Sequence, residues 1–274
     1  VTTFHSLQQE FGSVDLVSPV FGGLTCNAEF EVLTGMNMMF FPQPAQPYVQ
    51  YIRRPVQSLA AVLRQRGYRT VALHARGGMH NDAQVQPLLG FEQFVPGERW
   101  VNRKRIAGWM SDESTAREII RRADRFEQPY FISVNTIEGH TPYNQDKYGT
   151  DPWDIRFTKP VSEEAREILA AYTRGLHNAD SALKLLIEHF SNRKEPTLIV
   201  FYGDHLPILG KHLLVYKETG LCPPGCGSAS LPMRTVPAVI WNNYGKRLLP
   251  PAREIGMPQM LPLVLDLLEA PKPA

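Results

Sequence analysis

The chain has 274 residues, 43% of them hydrophobic and 20% charged, the composition of an ordinary folded globule and not of a disordered or low-complexity chain. Its 29 Lys plus Arg stand against 27 Asp plus Glu, a formal balance of +2, so bulk charge gives no case for a nucleic-acid partner. No stretch reaches the ~20 apolar residues that span a bilayer, and residues 1–5 have neither the basic nor the apolar part of a signal peptide. The absence of Met at position 1 reads as the product of a cut or of processing, with any signal or anchor outside these residues.

In chain order, a β-branched run over 14–20 predicts a strand that ends before Gly22-Gly23. A helix over 58–66 is stopped by Gly67, and a second strand covers 70–74. Ser111 opens a helix over 112–126, followed by a strand over 130–136. Ser162 opens a long helix over 163–190 with Ile168, Tyr172, Ala179, Leu183, Leu186 and Phe190 on or near one face. Strands over 197–202 and 236–241 follow; Pro237 places the latter near a sheet edge, because proline cannot donate to a ladder. A last helix spans about 258–268. Strands and helices taking turns predict a single α/β domain over 1–274 with a mostly parallel central sheet flanked by helices. The non-periodic segment 143–160, with Trp153 and Arg156, reads as a functional surface loop or an ordered insertion. Cys222 and Cys226 flank Pro-Pro-Gly, where a short disulfide loop is sterically feasible; two free thiols are the alternative.

Four features carry chemistry. Thr25 stands where a helix begins after a strand and two glycines; it serves either as the N-cap or as a hydroxyl poised to meet a phosphate at the positive end of the helix. Asp204 and His205 directly follow the strand over 197–202, at the carboxyl edge where open α/β sheets bind ligands, and their oxygen and nitrogen donors suit Mn, Zn or Mg. His140 also follows a strand end, and His177 lies on the polar face of the long helix. Each of these residues alone also fits a structural role. Together they supply a hydroxyl nucleophile, metal ligands and proton donors. Cys26 beside Thr25 has no nearby sequence feature to activate a thiol.

The block over 22–35, Gly-Gly-Leu-Thr-Cys-Asn-Ala-Glu-Phe-Glu-Val-Leu-Thr-Gly, is followed by Glu138-Gly139-His140-Thr141-Pro142-Tyr143, by Leu176-His177-Asn178-Ala179-Asp180 and by Gly203-Asp204-His205. This series resembles the lipoteichoic acid synthase and phosphoglycerol transferase family of the sulfatase and alkaline phosphatase superfamily. The resemblance implies a metal-dependent phosphoglycerol transferase that moves glycerol phosphate from phosphatidylglycerol to a glycan or polyglycerol phosphate acceptor through a phosphothreonine-type intermediate. It implies Thr25 as nucleophile and metal ligand, Asp204 and His205 as further ligands of one divalent ion, most simply Mn2+ with Mg2+ or Zn2+ as alternatives, and His140 and His177 as acid-base or substrate-binding groups. Arg156 and Trp153 are its weaker candidates for the head group. It also implies an extracytoplasmic domain, periplasmic or on the outer face of the membrane, anchored by helices outside this chain.

One departure bears on the metal. Family members open this domain with a strand that ends in a metal-binding glutamate, and only 24 residues precede Thr25 here, none in that arrangement; Glu10 lies in a helical context. The expectation is therefore a domain that lacks the family's first strand, with an exposed sheet edge. Two other readings stand beside the transferase: a phosphoethanolamine transferase, phosphodiesterase or sulfatase of the same superfamily, and a non-catalytic binding domain that has lost its metal site.

Overall fold

Two sheets carry the fold, in a computed structural model that describes residues 1–78, 80–127, 129–149, 153, 155–245 and 253–269. The elements are α1 (Thr2–Phe11), β1 (Ser13–Val17), α2 (Thr25–Thr34), α3 (Pro47–Gln50), α4 (Leu59–Gln65), β2 (Arg69–His74), α5 (Asp82–Leu88) and β3 (Gln93–Pro96). A small hairpin of β4 (Arg105–Ile106) and β5 (Trp109–Met110) leads into α6 (Asp112–Ala123), β6 (Tyr130–Asn135), α7 (Glu163–Ser191) and β7 (Leu198–Tyr202). The chain ends with α8 (Leu214–Glu218), α9 (Leu231–Arg234), β8 (Thr235–Asn242), β9 (Arg253–Gly256) and α10 (Met260–Leu267). Helix starts follow the sequence punctuation: the hydroxyls of Ser58, Ser111 and Ser162 accept from Ala61, Ser114 and Ala165 amides and cap α4, α6 and α7.

One sheet has the order β3-β2-β6 and is parallel throughout; the other has the order β7-β8-β1-β9 and is mixed. In the second, β1 and β7 both pair antiparallel with β8 between them, so they run the same way and their carboxyl ends emerge at one edge. That edge carries the site. The expectation that Pro237 places its strand at a sheet edge is corrected, since β8 has a partner on each side. The proline is tolerated because its missing donor faces the point where β7 has already ended: Gly203 donates to the Pro237 carbonyl at 3.1 Å, and Pro237 is exposed.

Helices flank the sheets on two sides. One core packs α2, α4 and α10 against β1, β2 and β8, while a second gathers α1, α6 and α7 over the outer face of β8 with Val239 and Trp241. Cys222 and Cys226 are bonded, with Cα atoms 5.3 Å apart, and Cys222 is buried beside Tyr216 and Met233. Among the described residues no helix is long and apolar enough to cross a membrane.

The strands β6 and β7 are the edges of their two sheets, and they line the same apolar cavity of about 430 Å³, closed by α6 and α7 on one side and by Leu33 and Val264 on the other. Every residue of both strands is half-buried. A strand at the middle of an α/β domain is ordinarily covered on both faces and hydrogen-bonded on both edges, so the cavity marks a position between the sheets that the described residues do not fill.

Candidate active site

The turn after β1 is built to present one hydroxyl. Gly22 (φ 76°), Gly23 (φ 156°) and Leu24 (φ 65°) take positive φ in succession, and a side chain at Gly22 would run into Ile208 at 2.6 Å. Leu24 holds a left-handed conformation that non-glycine residues rarely adopt, a form of backbone strain that clusters at functional sites. Leu24, and not Thr25, occupies the N-cap, so Thr25 is the first residue of α2 and no side chain caps the helix. The capping role open to Thr25 in the sequence is therefore not the one it plays.

Its hydroxyl turns to the end of β7. Thr25 Oγ1 donates to Asp204 Oδ2 at 2.6 Å and lies 3.5 Å from His205 Nε2, which is itself 3.3 Å from Asp204 Oδ2. His205 Nδ1 is 3.0 Å from the Leu206 carbonyl, which can only accept, so Nδ1 carries a proton and Nε2 is the ring nitrogen turned toward Thr25 and Asp204. The two loops are tied together by backbone: Gly22 N–H donates to the Leu206 carbonyl at 2.8 Å, and Ser18 Oγ donates to the Asp204 carbonyl at 2.6 Å. The His205 amide closes the arrangement on Asp204 Oδ1 at 2.9 Å.

A carboxylate oxygen, an imidazole nitrogen and a hydroxyl oxygen converging within 3.5 Å form a donor set of the kind that holds a divalent cation. Among the described residues no cluster of three or more His, Cys, Asp or Glu could hold a metal by itself. The donor set thus fits a metal ion with coordination positions left for other ligands. Glu10, exposed on α1, is not among them. Cys26 is buried, and desolvation first, then Glu29 and Asp82, pushes its thiol up to about 12, so it stays protonated and is no nucleophile.

The other two histidines lean on tryptophans. His140 is exposed after β6, its ring 4.8 Å from that of Trp109, whose indole N–H donates to the Thr141 carbonyl at 3.0 Å. Arg76, from the loop after β2, lies over the Trp109 ring at 4.8 Å from its centroid. His177 is exposed on α7 with its ring 4.9 Å from Trp153, whose N–H donates to Thr173 Oγ1 at 3.1 Å. Trp153 therefore belongs with His177. Arg156 is exposed, and no contact joins it to either cluster among the described residues.

A buried carboxylate links the two histidine segments. Glu138, 1% exposed, accepts from Asn178 Nδ2 at 2.5 Å through Oε1 and from the Asp112 amide at 2.8 Å through Oε2. It thereby ties the loop of His140 to the helix of His177 and to the start of α6. Burial first, and then the Glu138 charge, pushes the Asp112 carboxyl up to about 7, while burial pulls the Lys147 ammonium down to about 8. Gly175 lets the loop approach α7: a side chain there would meet Tyr148 Oη at 2.8 Å and Gly139 Cα at 3.7 Å. Tyr143 bridges toward the other corner, its hydroxyl donating to the Gly139 carbonyl at 2.8 Å and its pKa raised by burial, by Tyr172 and by Asp204. Ser18 and Trp109 carried no individual sequence signal, whereas Leu24, Glu138, Tyr143 and Asn178 stood within the motifs.

The family model described as Sulfatase matches residues 12–268. A protein of Rhizobium meliloti (strain 1021) named "Putative cyclic beta-1,2-glucan modification protein" is 36% identical over 242 residues, which cover 86% of this chain and 37% of that protein. Among solved structures, the Streptococcus pyogenes phosphoglycerol transferase GacH in complex with sn-glycerol-1-phosphate superposes with a TM-score of 0.75 at 21% identity, over 97% of this chain and 67% of that one. The lipoteichoic acid synthase LtaP from Listeria monocytogenes gives 0.71 at 20% identity, over 97% and 65%. Phosphoethanolamine transferases share the fold, with TM-scores of 0.61 and 0.66. The chain spans little more than a third of the length of its Rhizobium relative. The likeness to the solved structures identifies the fold, with its sheet between helices, that the sequence motifs pointed to.

Proposed function

Because the chain belongs to the sulfatase family, whose model matches residues 12–268, we propose that it is the catalytic part of a metal-dependent phosphoglycerol transferase. The donor is phosphatidylglycerol and the acceptor a glycan or a polyglycerol phosphate chain. The observation that carries this reading is the Thr25 hydroxyl at the start of α2, 2.6 Å from Asp204 and 3.5 Å from His205 Nε2. An N-cap threonine would satisfy its own helix; this one faces a carboxylate and an imidazole.

Thr25, Asp204 and His205 would hold the divalent ion, Mn2+ being our choice. When bound, the ion supplies positive charge that makes the threonine oxygen a better nucleophile and neutralises the phosphodiester. Thr25 Oγ1 passes its proton to Asp204 Oδ2, to which it is hydrogen-bonded at 2.6 Å, and forms the bond to phosphorus as the bond from phosphorus to the diacylglycerol oxygen breaks. That oxygen takes a proton from His140 or His177; the same histidine later receives the proton of the acceptor hydroxyl as it displaces Thr25, whose oxygen takes its proton back from Asp204. Two in-line displacements give retention at phosphorus. The uncapped amides at the start of α2 suit a non-bridging oxygen. Trp153 flanks the head group beside His177; Arg156 stays the weaker candidate.

The cavity between β6 and β7 supports a further part of this reading. A strand outside these 274 residues enters it, joins the two sheets and brings a carboxylate to the metal at the carboxyl edge. The domain works outside the cytoplasm, held at the membrane by segments that this chain does not contain.

A donor panel tests the proposal. Phosphatidylglycerol, phosphatidylethanolamine and an aryl sulfate are offered with Mn2+, and release of diacylglycerol or sulfate is followed. Turnover of phosphatidylglycerol alone is expected. Turnover of phosphatidylethanolamine would move the assignment to the neighbouring phosphoethanolamine transferases, and turnover of none, even with the upstream strand restored, would favour a binding domain.

A further inference from the structure

We infer that the loop between α2 and α4 is a membrane-contact surface that inserts Met39 and Phe40 among the head groups of an anionic bilayer and holds Arg53 and Arg54 against them. Of the thirteen large apolar side chains exposed among the described residues, five lie between positions 36 and 51: Met36, Met39, Phe40, Val49 and Tyr51. Met39 and Phe40 are 76% and 80% exposed, the most of any. Clustered exposure of this kind marks an interaction site, whereas the same side chains scattered singly would mean nothing.

The display is ordered. Residues 38–40 form a 3-10 turn whose Asn37 side chain accepts from the Met39 amide at 2.8 Å, and the Met38 amide donates to buried Glu31 at 2.7 Å. Met38 thereby points into the core while Met39 and Phe40 point out. Phe41 packs on Phe30 of α2 at 5.5 Å and on Tyr51 at 5.3 Å, which joins the turn to the segment that carries the arginines. The surface rides on the helix whose first residue is Thr25.

Charge selects the occupant. From residue 32 to residue 81 the sequence has six arginines and no Asp, Glu or Lys, in a chain whose net charge is only +2. Arg53 and Arg54 are exposed, with neither in an ion pair among the described residues. A second copy docking here through a two-fold axis would bring the arginine pairs of both copies into one interface, with no Asp or Glu from residues 32–81 to relieve the repulsion. Anionic head groups relieve it, and apolar side chains beside basic ones are the recurrent composition of interfacial anchors. The inference does not depend on the reading of Thr25.

The experiment is co-sedimentation of the purified chain with sucrose-loaded vesicles, either of phosphatidylcholine alone or of phosphatidylcholine with phosphatidylserine, an anionic lipid that is not the proposed donor. Sedimentation with the anionic vesicles alone is expected, released by salt as screening shortens. Phe40→Ser lowers the partition coefficient roughly tenfold and Arg54→Gln roughly fivefold, with circular dichroism unchanged because both side chains are exposed. Thr25→Ala binds like the parent, which separates the surface from the donor site. No sedimentation with either vesicle, or equal sedimentation of Phe40→Ser, would overturn the inference. So would a concentration-dependent dimer that Phe40→Ser abolishes, which would identify a second copy as the occupant.

Discussion

The corner of Thr25, Asp204 and His205 and the wing of His140 and His177 are assembled by opposite means. In the corner the functional atoms touch one another, and the loops that carry them are locked by the Gly22 amide and the Ser18 hydroxyl, each donating to a backbone carbonyl. In the wing the imidazoles are exposed and touch tryptophans, while the order lies one layer behind them in the buried Glu138, Asn178 and Asp112. The difference follows from the demands of each step. A nucleophile and its metal need fixed distances before substrate arrives, whereas proton donors need access to an alcohol that comes and goes.

Substitutions can break this contrast. Thr25→Ala is expected to cost the largest effect, roughly 10⁴-fold or more in turnover with cooperative unfolding retained, because nothing else in the corner can form the covalent bond; steady-state kinetics and a melting curve check both halves. Asp204→Asn is expected to weaken Mn2+ binding by at least roughly 100-fold in a calorimetric titration, and an unchanged affinity removes it from the ligand set. His140→Ala and His177→Ala should each slow turnover by roughly 10²-fold with metal affinity intact. Were they to strip the metal as Asp204→Asn does, the two regions would be one.

A further expected effect concerns stability. Burial pushes the Glu31 carboxyl, which anchors the turn after α2, from 4.5 up to about 7. The folded state holds this proton where the unfolded chain has released it, so the stabilisation is full below about pH 4.5 and is lost as pH rises through about 7. Relative to Glu31→Gln, the parent should therefore lose on the order of 3 kcal/mol across that window. Paired melting curves at the two ends read it directly, and a pH-independent difference between the two proteins would contradict it.

Much of this architecture is legible in the sequence for reasons that particular residues supply. Serines 58, 111 and 162 announce three helices because a hydroxyl at the N-cap is locally satisfied whatever surrounds it. Strands β2, β6 and β7 show as largely apolar, β-branched and aromatic runs. The short strands β3 and β9, in contrast, gain their identity from register with a neighbour, as Gln93 does opposite Val71, and four residues carry too little pattern to reveal it. Pro237 misleads for the same reason: its place in the sheet depends on where β7 stops, which no local rule encodes. In the site, Thr25, Asp204 and His205 were readable as chemistry at strand ends. The strained Leu24, the Trp109 stack and the Ser18 tie were not, since each exists only once distant segments meet.

The central claim, that Thr25 forms a covalent bond to phosphorus, is tested most directly by intact mass spectrometry with peptide mapping after incubation with phosphatidylglycerol and Mn2+. The account predicts a glycerol phosphate adduct on Thr25, on this chain or on one extended N-terminally to fill the cavity between β6 and β7, and none on Thr25→Ala. An adduct on another residue, or its absence from both chains while diacylglycerol is still released, would contradict it.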